Sequence, residues 1–471
     1  MGLISLFLSL LFSTVLVVLD CRRRRNVSAA VWIPTIVLFI LASRPASLWV
    51  AGRGPTLGIE YANEQTGSAI DQLFFVSVLF VSFIVTTVRG TKWIRILAAN
   101  RAIILFYLYF ATSILWSSDP IGSTKRIIKD FGLLFVAGVI YSEKNPLEAL
   151  RAVYVRCAFI LLPLSIVFIK YFPVLGRSYG IAGEVMLTGV TTQKNSLGEI
   201  VLIFGLFLLW DFLESRVGRS KLRFSKIRWD IVLTLLLGLQ LLRLSQSKTA
   251  LVCAVVGVFL VLRTGRLRST AVSWAALAGA LTLPLLVFFS QEFSSIAGPI
   301  MHALGRDMTF TGRTSIWQHI TIDTVNPLIG YGYWNFWGGP GGHSVNQAMH
   351  EVIPNAHSGY VDTYLDGGII GLFVLAILVS SCGKRIIAHM SKDKGDNRFL
   401  RVRLAFVVVA IIYNLSESTF ARIGPIWFTT LLMMADFPTR YMSRRRVVVA
   451  KETASIVFPQ QDEIPVGSRI F

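Results

Sequence analysis

Long apolar runs, separated by short polar and basic segments, recur along most of the chain. They occupy residues 3–19, 31–42, 73–88, 103–116, 131–141, 158–172, 197–212, 231–244, 250–262, 272–289, 369–382, 404–414 and 426–437. A helix needs about 20 apolar residues to cross a bilayer, and several of these runs approach that length. The pattern predicts an all-α polytopic membrane protein with about 12–13 transmembrane helices.

The first run, residues 3–19, has no basic segment before it and is followed by four arginines at 22–25. A cleaved signal peptide has the opposite arrangement, with its basic residues in front. We therefore expect a first transmembrane helix whose C-terminal end is cytoplasmic.

Most of the 46 Lys and Arg residues fall in alternate loops between the apolar runs. The positive-inside rule places such loops in the cytoplasm, which predicts a multi-pass protein of the bacterial inner membrane with a periplasmic N-terminus and a cytoplasmic C-terminus. The domain organisation that follows is a transmembrane bundle at 1–289, a large periplasmic loop at 290–367, transmembrane helices at 368–437 and a cytoplasmic tail at 438–471.

Composition supports this interpretation. Apolar residues make up 54% of the 471 residues and charged residues only 15%, and the mean hydropathy is +0.62. The net charge of +20 would suggest nucleic acid in a soluble protein, but here the charges orient helices, so no nucleic-acid partner is expected. The four cysteines have no metal-ligand spacing, and no nucleotide-binding motif is present, so we expect no cofactor.

The 290–367 loop is rich in aromatic residues and glycines, which predicts a folded, partly helical loop rather than a disordered one. It contains five of the six histidines, a side chain suited to accept a proton near neutral pH. His343, His350 and His357 are seven residues apart, but Gly341, Gly342 and Pro354 should interrupt a shared helix, and no metal site is predicted. His357 follows a potential helix-capping residue, Asn355, and is the strongest candidate; a surface histidine without a role is the alternative.

Several cations sit where the positive-inside rule disfavours them. Arg313 opens a short amphipathic stretch of the loop, and four more lie at the predicted outer ends of helices: Lys125, Arg126, Lys194 and Lys248. Cations placed at a membrane interface at some cost tend to have a partner, and a lipid-linked diphosphate would be one. Side chains that merely reach the interface to solvate their charge are the alternative.

The chain resembles the superfamily of O-antigen ligases and O-antigen polymerases, and within it most resembles exopolysaccharide polymerases. The resemblance extends from about Trp116 to about Glu417. It rests on the segments WSSDP at 116–120, GVTTQKNSLG at 189–198, SQSKTA at 245–250, Gly312-Arg313 with Trp317, NPLIGYG at 326–332, NAHS at 355–358 and GGIIG at 367–371.

The resemblance implies transfer of a glycan from an undecaprenyl diphosphate carrier to a hydroxyl in the periplasm, without metal or nucleotide. His357 would activate the acceptor, and Arg313 would lie near the diphosphate, with Lys194, Lys248, Arg126 and Lys125 as further diphosphate ligands. Membrane lipid, a chain-length regulator and a flippase are the other expected partners.

Lys248 stands where ligases often have arginine, a departure that favours a polymerase over an O-antigen ligase acting on lipid A-core. A polysaccharide transporter is a further alternative, although no internal repeat is visible. The last alternative is a non-catalytic membrane scaffold, in which the loop histidines and the interfacial cations have no role.

Overall fold

The computed structural model describes residues 1–52, 54, 67–179, 183–216, 227–262, 270–289, 313–320, 325–392 and 398–436. Residues 1–436 form one compact unit. The predicted boundaries at 290 and 438, together with His302 and Arg306, lie outside the described residues.

The described part of the chain is almost entirely helical. Before the first strand the helices are α1 (Gly2–Arg23), α2 (Trp32–Leu41), α3 (Ala46–Ala51), α4 (Ala69–Val88), α5 (Trp93–Ala99), α6 (Arg101–Thr112), α7 (Pro120–Tyr141), α8 (Pro146–Tyr171) and α9 (Pro173–Gly176). A short antiparallel hairpin follows, β1 (Arg177–Tyr179) and β2 (Val185–Leu187), in which Ser178 pairs with Met186. The remaining helices are α10 (Lys194–Ser215), α11 (Trp229–Ser245), α12 (Lys248–Leu262), α13 (Thr270–Phe289), α14 (Arg313–His319), α15 (Pro340–Met349), α16 (Gly359–Lys392), α17 (Arg398–Tyr413) and α18 (Pro425–Met434).

Each of the predicted apolar runs overlaps one of these helices, which confirms an all-α polytopic membrane protein. Within the described residues, five helices are long and apolar enough to cross a membrane, namely α1, α4, α8, α10 and α16. The bent pair formed by α5 and α6 would be a sixth only if the two helices together made one span. Shorter apolar helices of 10–17 residues include α12 and α18.

Helices α8 and α10 form the centre of the bundle. In the most apolar 18-residue window, 89% of the α8 residues and 72% of the α10 residues are buried, against 17% in α1 and 22% in α4. The outer helices are nevertheless strongly apolar, with exposed side chains such as Phe7 and Phe80. An apolar surface of this kind on a helix of spanning length is suited to lipid.

Helix α16 is broken at Gly368, and the segment 327–332 fills the break. Gly368 has a φ of +61°, and a side chain there would collide with the backbone of Leu328. The N–H groups of Ile369 and Ile370 donate to the carbonyls of Pro327 and Leu328, at 2.9 and 3.1 Å. Backbone groups freed by a helix break must find partners away from water, and here another segment of backbone supplies them.

The same two segments form two further hydrogen bonds in which donor and acceptor segments are exchanged. The N–H groups of Tyr331 and Gly332 donate to the carbonyls of Leu365 and Asp366, at 2.8 and 3.0 Å. Four backbone hydrogen bonds thus join residues 327–332 to residues 365–370. They fix the outer loop to the start of a membrane helix.

The described part of the outer loop has its own hydrophobic core, consisting of Ile316, Ile320, Val325, Phe336, Trp337, Val345, Ile353, Ala356 and Leu365. Helices α14 and α15 contribute to it, so this part is folded and partly helical. The prediction that Gly341 and Gly342 interrupt a helix was wrong, because both lie in α15. A side chain at either position would collide with Phe336 or Trp337, so the glycines permit close packing there. The helix ends at Met349, and His343, His350 and His357 do not share one helix.

A buried network of charges lies at the end of the bundle away from this loop. Arg24 donates to Asp20 and Asp211, at 2.7 Å each, and also to Glu148. The network continues through Arg23, Arg151, Arg156, Arg228 and Asp230. It joins α1, α8, α10 and α11.

Candidate functional site

The GVTTQKNS segment is held in place by a buried arginine. Arg44, only 2% exposed, donates to the carbonyl oxygens of Val190 at 3.0 Å, Leu175 at 2.9 Å and Gly189 at 3.2 Å. Its guanidinium also lies 5.7 Å from the centre of the Phe168 ring. Through these hydrogen bonds to backbone carbonyls, Arg44 fixes the loop that leads into α10.

Lys194 and Lys248 are the first residues of α10 and α12, respectively. The two helices approach closely, because a side chain at Gly198 would collide with Ser247 and Ala250. Lys194 is half-buried and Lys248 is exposed. The structure therefore brings the segments of these two predicted site residues together at the loop end of the bundle.

Arg313 and Glu417 form a buried ion pair between the loop and the connection from α17 to α18. Arg313 Nη2 lies 2.8 Å from Glu417 Oε1, and the same oxygen accepts from Asn195 Nδ2 at 2.8 Å. Arg313 is 6% exposed and Glu417 is 8% exposed. The burial of Arg313 argues against the alternative in which its side chain merely reaches the interface to solvate its charge.

The neighbouring residues complete the link. Ser416 Oγ and Thr249 Oγ1 are 2.6 Å apart, which ties this connection to α12. The other terminal nitrogen of Arg313, Nη1, is buried and has no hydrogen-bond partner among the described residues. A buried donor without a partner is costly, and sites that bind an anion often contain one.

His357 lies in the same region, immediately before α16. Its φ is +50°, a left-handed conformation that is uncommon outside glycine. Asn355 Oδ1 accepts from the His357 N–H at 3.0 Å. Asn355 was predicted to cap a helix, but it closes only this turn, because the helix begins four residues later, at Gly359.

The imidazole of His357 is neutral at physiological pH. Burial, and secondarily the positive charge of Arg313, lowers the pKa of His357 to about 4. A neutral imidazole has a nitrogen lone pair available to accept a proton. By contrast, His319, His343 and His350 are exposed.

Asp362 ties the loop to the His357 turn. It accepts from Trp337 Nε1 at 2.7 Å and from the Ala356 N–H at 3.1 Å, and the Ser418 hydroxyl also donates to it. Asp362 is fully buried. Its role is to position the turn, since its oxygens are occupied by protein donors.

Lys125 and Arg126 lie in the second turn of α7. Arg126 Nη1 donates to the Trp334 carbonyl at 3.0 Å, and its Nη2 lies 3.8 Å from Asp119. Lys125 is exposed. Arg126 thus contacts Trp334 and Asp119, whereas Arg313 and Asn195, the neighbour of Lys194, both contact Glu417.

Sequence reasoning missed the connection between α17 and α18, residues 414–424. Besides Glu417, it carries Arg422, which lies 2.6 Å from Asp366 and covers the Trp334 ring at 4.7 Å. One signal was available. An acidic and a basic residue stand in a short link between two apolar runs, on the side that the topology makes periplasmic.

The chain is similar to known proteins of polysaccharide synthesis. Residues 231–376 match the family model described as O-Antigen ligase, a span that contains Lys248, Arg313 and His357. The chain is also 24% identical over 340 residues to the exopolysaccharide production protein ExoQ of Rhizobium meliloti (strain 1021), covering 66% of this chain and 72% of that protein. These matches support the resemblance of the chain to the O-antigen ligase and polymerase superfamily.

This resemblance supports a multi-pass membrane enzyme of the polysaccharide pathway. Lys194 and Glu417 lie outside the residues that match the family model. Among the described residues, no three His, Cys, Asp or Glu side chains are grouped as a metal site would require.

Proposed function

We propose that this protein polymerises undecaprenyl-diphosphate-linked oligosaccharide repeat units into exopolysaccharide or O-antigen, by metal-independent glycosyl transfer. The reaction would occur at the end of the bundle that carries the 290–367 loop, facing the periplasm. The name of the Rhizobium relative supports an exopolysaccharide product.

The observation that carries the proposal is the arrangement of cations around Glu417. Arg313 is buried with one terminal nitrogen unpartnered in the described structure, and Lys194 and Lys248 begin the two helices that pack beside it. One carboxylate cannot neutralise three cations. A diphosphate, with at least two negative charges, complements the excess.

His357 is the proposed general base. The acceptor hydroxyl oxygen attacks the anomeric carbon of the donor and forms the new glycosidic bond, while the bond from that carbon to the diphosphate oxygen breaks. The hydroxyl proton passes to the neutral imidazole, and undecaprenyl diphosphate leaves with the bonding electrons. Inversion at the anomeric carbon follows from a single displacement of this kind.

The glycosyl diphosphate is already an activated donor, so the protein must mainly align the acceptor and stabilise the leaving group. The fixed loop, held to α16 by backbone hydrogen bonds, provides a rigid frame for that alignment. A chain-length regulator and a flippase are proposed as partners, because polymer length and donor supply must both be controlled.

An O-antigen ligase, which would transfer finished polymer to lipid A-core, is the second candidate. The description of the matching family model favours it. Lys248 favours the polymerase, because ligases often have arginine at this position. A lysine cannot form the bidentate hydrogen bonds that the planar guanidinium of arginine makes to a diphosphate.

The test is gel analysis of cell-surface and secreted polysaccharide from a deletion strain complemented with wild type, His357→Ala or Arg313→Ala. Membrane abundance of each variant is measured in parallel, and His343→Ala serves as the exposed-histidine control. Single repeats in place of long polymer, with both site variants inactive at normal abundance, support the polymerase. Long polymer that is no longer attached to lipid A-core indicates a ligase, and full activity of both variants refutes the proposed site.

A further inference from the structure

The chain turns sharply where α5 meets α6, at the end of the bundle away from the outer loop. The axes of α5 and the following helical segment differ by 92°. Because α6 packs against the membrane helix α16, we expect α5 to lie roughly in the plane of the membrane surface. Its Ile94 is 84% exposed, beside the basic residues Lys92 and Arg95. Short helices of this composition lie at the boundary between headgroups and acyl chains.

Asn100 holds this turn. Its Nδ2 donates to the carbonyls of Ile96 and Asp436, both at 2.8 Å. Its Oδ1 accepts from Arg385 Nη2 at 3.2 Å and from the Asp436 N–H at 2.7 Å. The bend is therefore a fixed feature, joined to α16 and to the end of α18.

A crevice of about 530 Å³ opens at the bend, between α6 and α16. Its lining combines two arginines with an apolar wall, and includes Asn100, Arg101, Ile103, Leu105, Ile377 and Arg385. Leu105 is 44% exposed, so the apolar wall continues onto the outer surface of the bundle. The crevice joins a polar end at the depth of the interfacial helix to an apolar end facing the membrane interior.

The charge of the two arginines is not cancelled within the described residues. Arg385 donates to the carbonyls of Ala99 and Met434, each at 2.7 Å, which are neutral acceptors. Its Nε is buried and has no hydrogen-bond partner there. Arg101 is exposed, and neither arginine forms an ion pair in the described part of the chain; Asp436, the nearby acid, bonds to Asn100 through its backbone.

We propose that this crevice binds an anionic phospholipid, whose phosphate lies between Arg101 and Arg385 and whose acyl chains follow Leu105 and Ile377. Two cations at headgroup depth complement one phosphate, and the apolar wall gives the chains a surface that a free anion does not need. The site is independent of glycosyl transfer, since it lies at the opposite end of the bundle. It would anchor the interfacial helix to the bundle.

The experiment measures the thermal unfolding midpoint of the full-length purified protein in detergent, with increasing phosphatidylglycerol or phosphatidylcholine. We expect phosphatidylglycerol alone to raise the midpoint. Arg101→Gln should weaken the apparent affinity about fivefold, the effect of losing one cation near a headgroup. Arg95→Gln, which removes an equally basic residue from the same helical pair outside the crevice, should respond as wild type does.

Three results would overturn the proposal. Equal stabilisation by phosphatidylcholine would show that charge is not recognised, and an unchanged response of Arg101→Gln would show that the crevice is not the site. Equal stabilisation by soluble glycerol 3-phosphate would show that the crevice takes a free anion rather than a lipid. Because Arg385→Gln removes contacts that hold the bend, Arg101 is the informative position.

Discussion

The two ends of the bundle treat buried charge in different ways. At the end away from the loop, Arg24 is surrounded by Asp20, Glu148 and Asp211, and acids and arginines alternate through the network. At the loop end, the ion pair of Arg313 among the described residues is with Glu417, and Lys194 and Lys248 begin the two helices beside it. A closed network stabilises a fold, whereas cations in excess of their carboxylates leave a site able to accept an anion.

The largest expected effect breaks the closed network. Arg24→Gln leaves Asp20, Glu148 and Asp211 with too little positive charge in a buried position, which should cost about 3 kcal/mol or more of stability. Membrane abundance and the thermal unfolding midpoint should both fall sharply. Arg25→Gln is the matched control, because Arg25 is adjacent but exposed. If both variants are equally stable, the network is not what holds α1 in the bundle.

At the open end, Glu417→Gln should instead reduce activity at near-normal abundance. The amide keeps the shape of the side chain but loses the charge that orients Arg313, a loss of about 2 kcal/mol or roughly 30-fold in rate. Polymer formation in membrane vesicles measures the effect, and Glu417→Asp should recover part of it.

Glu351→Gln provides the control, since Glu351 lies in the same loop and forms no ion pair among the described residues. If Glu417→Gln has the activity of wild type, Arg313 does not depend on this carboxylate for its position.

A smaller effect is expected at Lys248, which is exposed. Lys248→Gln should raise the KM for the lipid-linked donor about tenfold, because one charge-assisted contact to the diphosphate is lost. Lys248→Arg should keep full activity, since it keeps the charge and adds a second donor. Lys125→Gln, at an exposed cation on α7, should change the KM by no more than about twofold. Equal effects on the KM at Lys248 and Lys125 would mean that these cations attract the donor only by long-range electrostatics and that Lys248 makes no direct contact with the diphosphate.

The smallest expected change is in the pH dependence. Because the folded pKa of His357 lies at about 4, the imidazole is already neutral throughout the usual range, and activity should vary by less than about twofold between about pH 7 and about pH 5.5. It should fall only as the pH drops through the folded pKa and the ring becomes protonated. A decline centred near the ordinary histidine value of about 6.5 would show that the active base is elsewhere.

The helices were predictable because apolar runs of this length have one stable form in a membrane. Residues 158–172 and 197–212, for example, coincide with the cores of α8 and α10. The Gly341-Gly342 pair shows the limit of local rules. Glycine normally weakens a helix, but here it lets α15 pack against Phe336 and Trp337, which a sequence pattern does not reveal.

The site was predictable in part, residue by residue. His357, Arg313, Lys194 and Lys248 were marked by their side-chain chemistry and position, but the carboxylate on which their segments converge was not. Glu417 reaches Arg313 and Asn195 across separations of 104 and 222 residues. Partners that far apart are set by tertiary packing, and local periodicity contains no information about them.

The pairing of residues 327–332 with the break in α16 is made by main-chain atoms alone. Substituting Leu328, Ile329 or Tyr331 leaves those donors and acceptors in place, whereas a side chain at Gly368 removes the space that the pairing requires. The frame of the site is therefore insensitive to most changes in the side chains above it. Replacing side chains of the loop would therefore leave the proposed reaction centre in the same position.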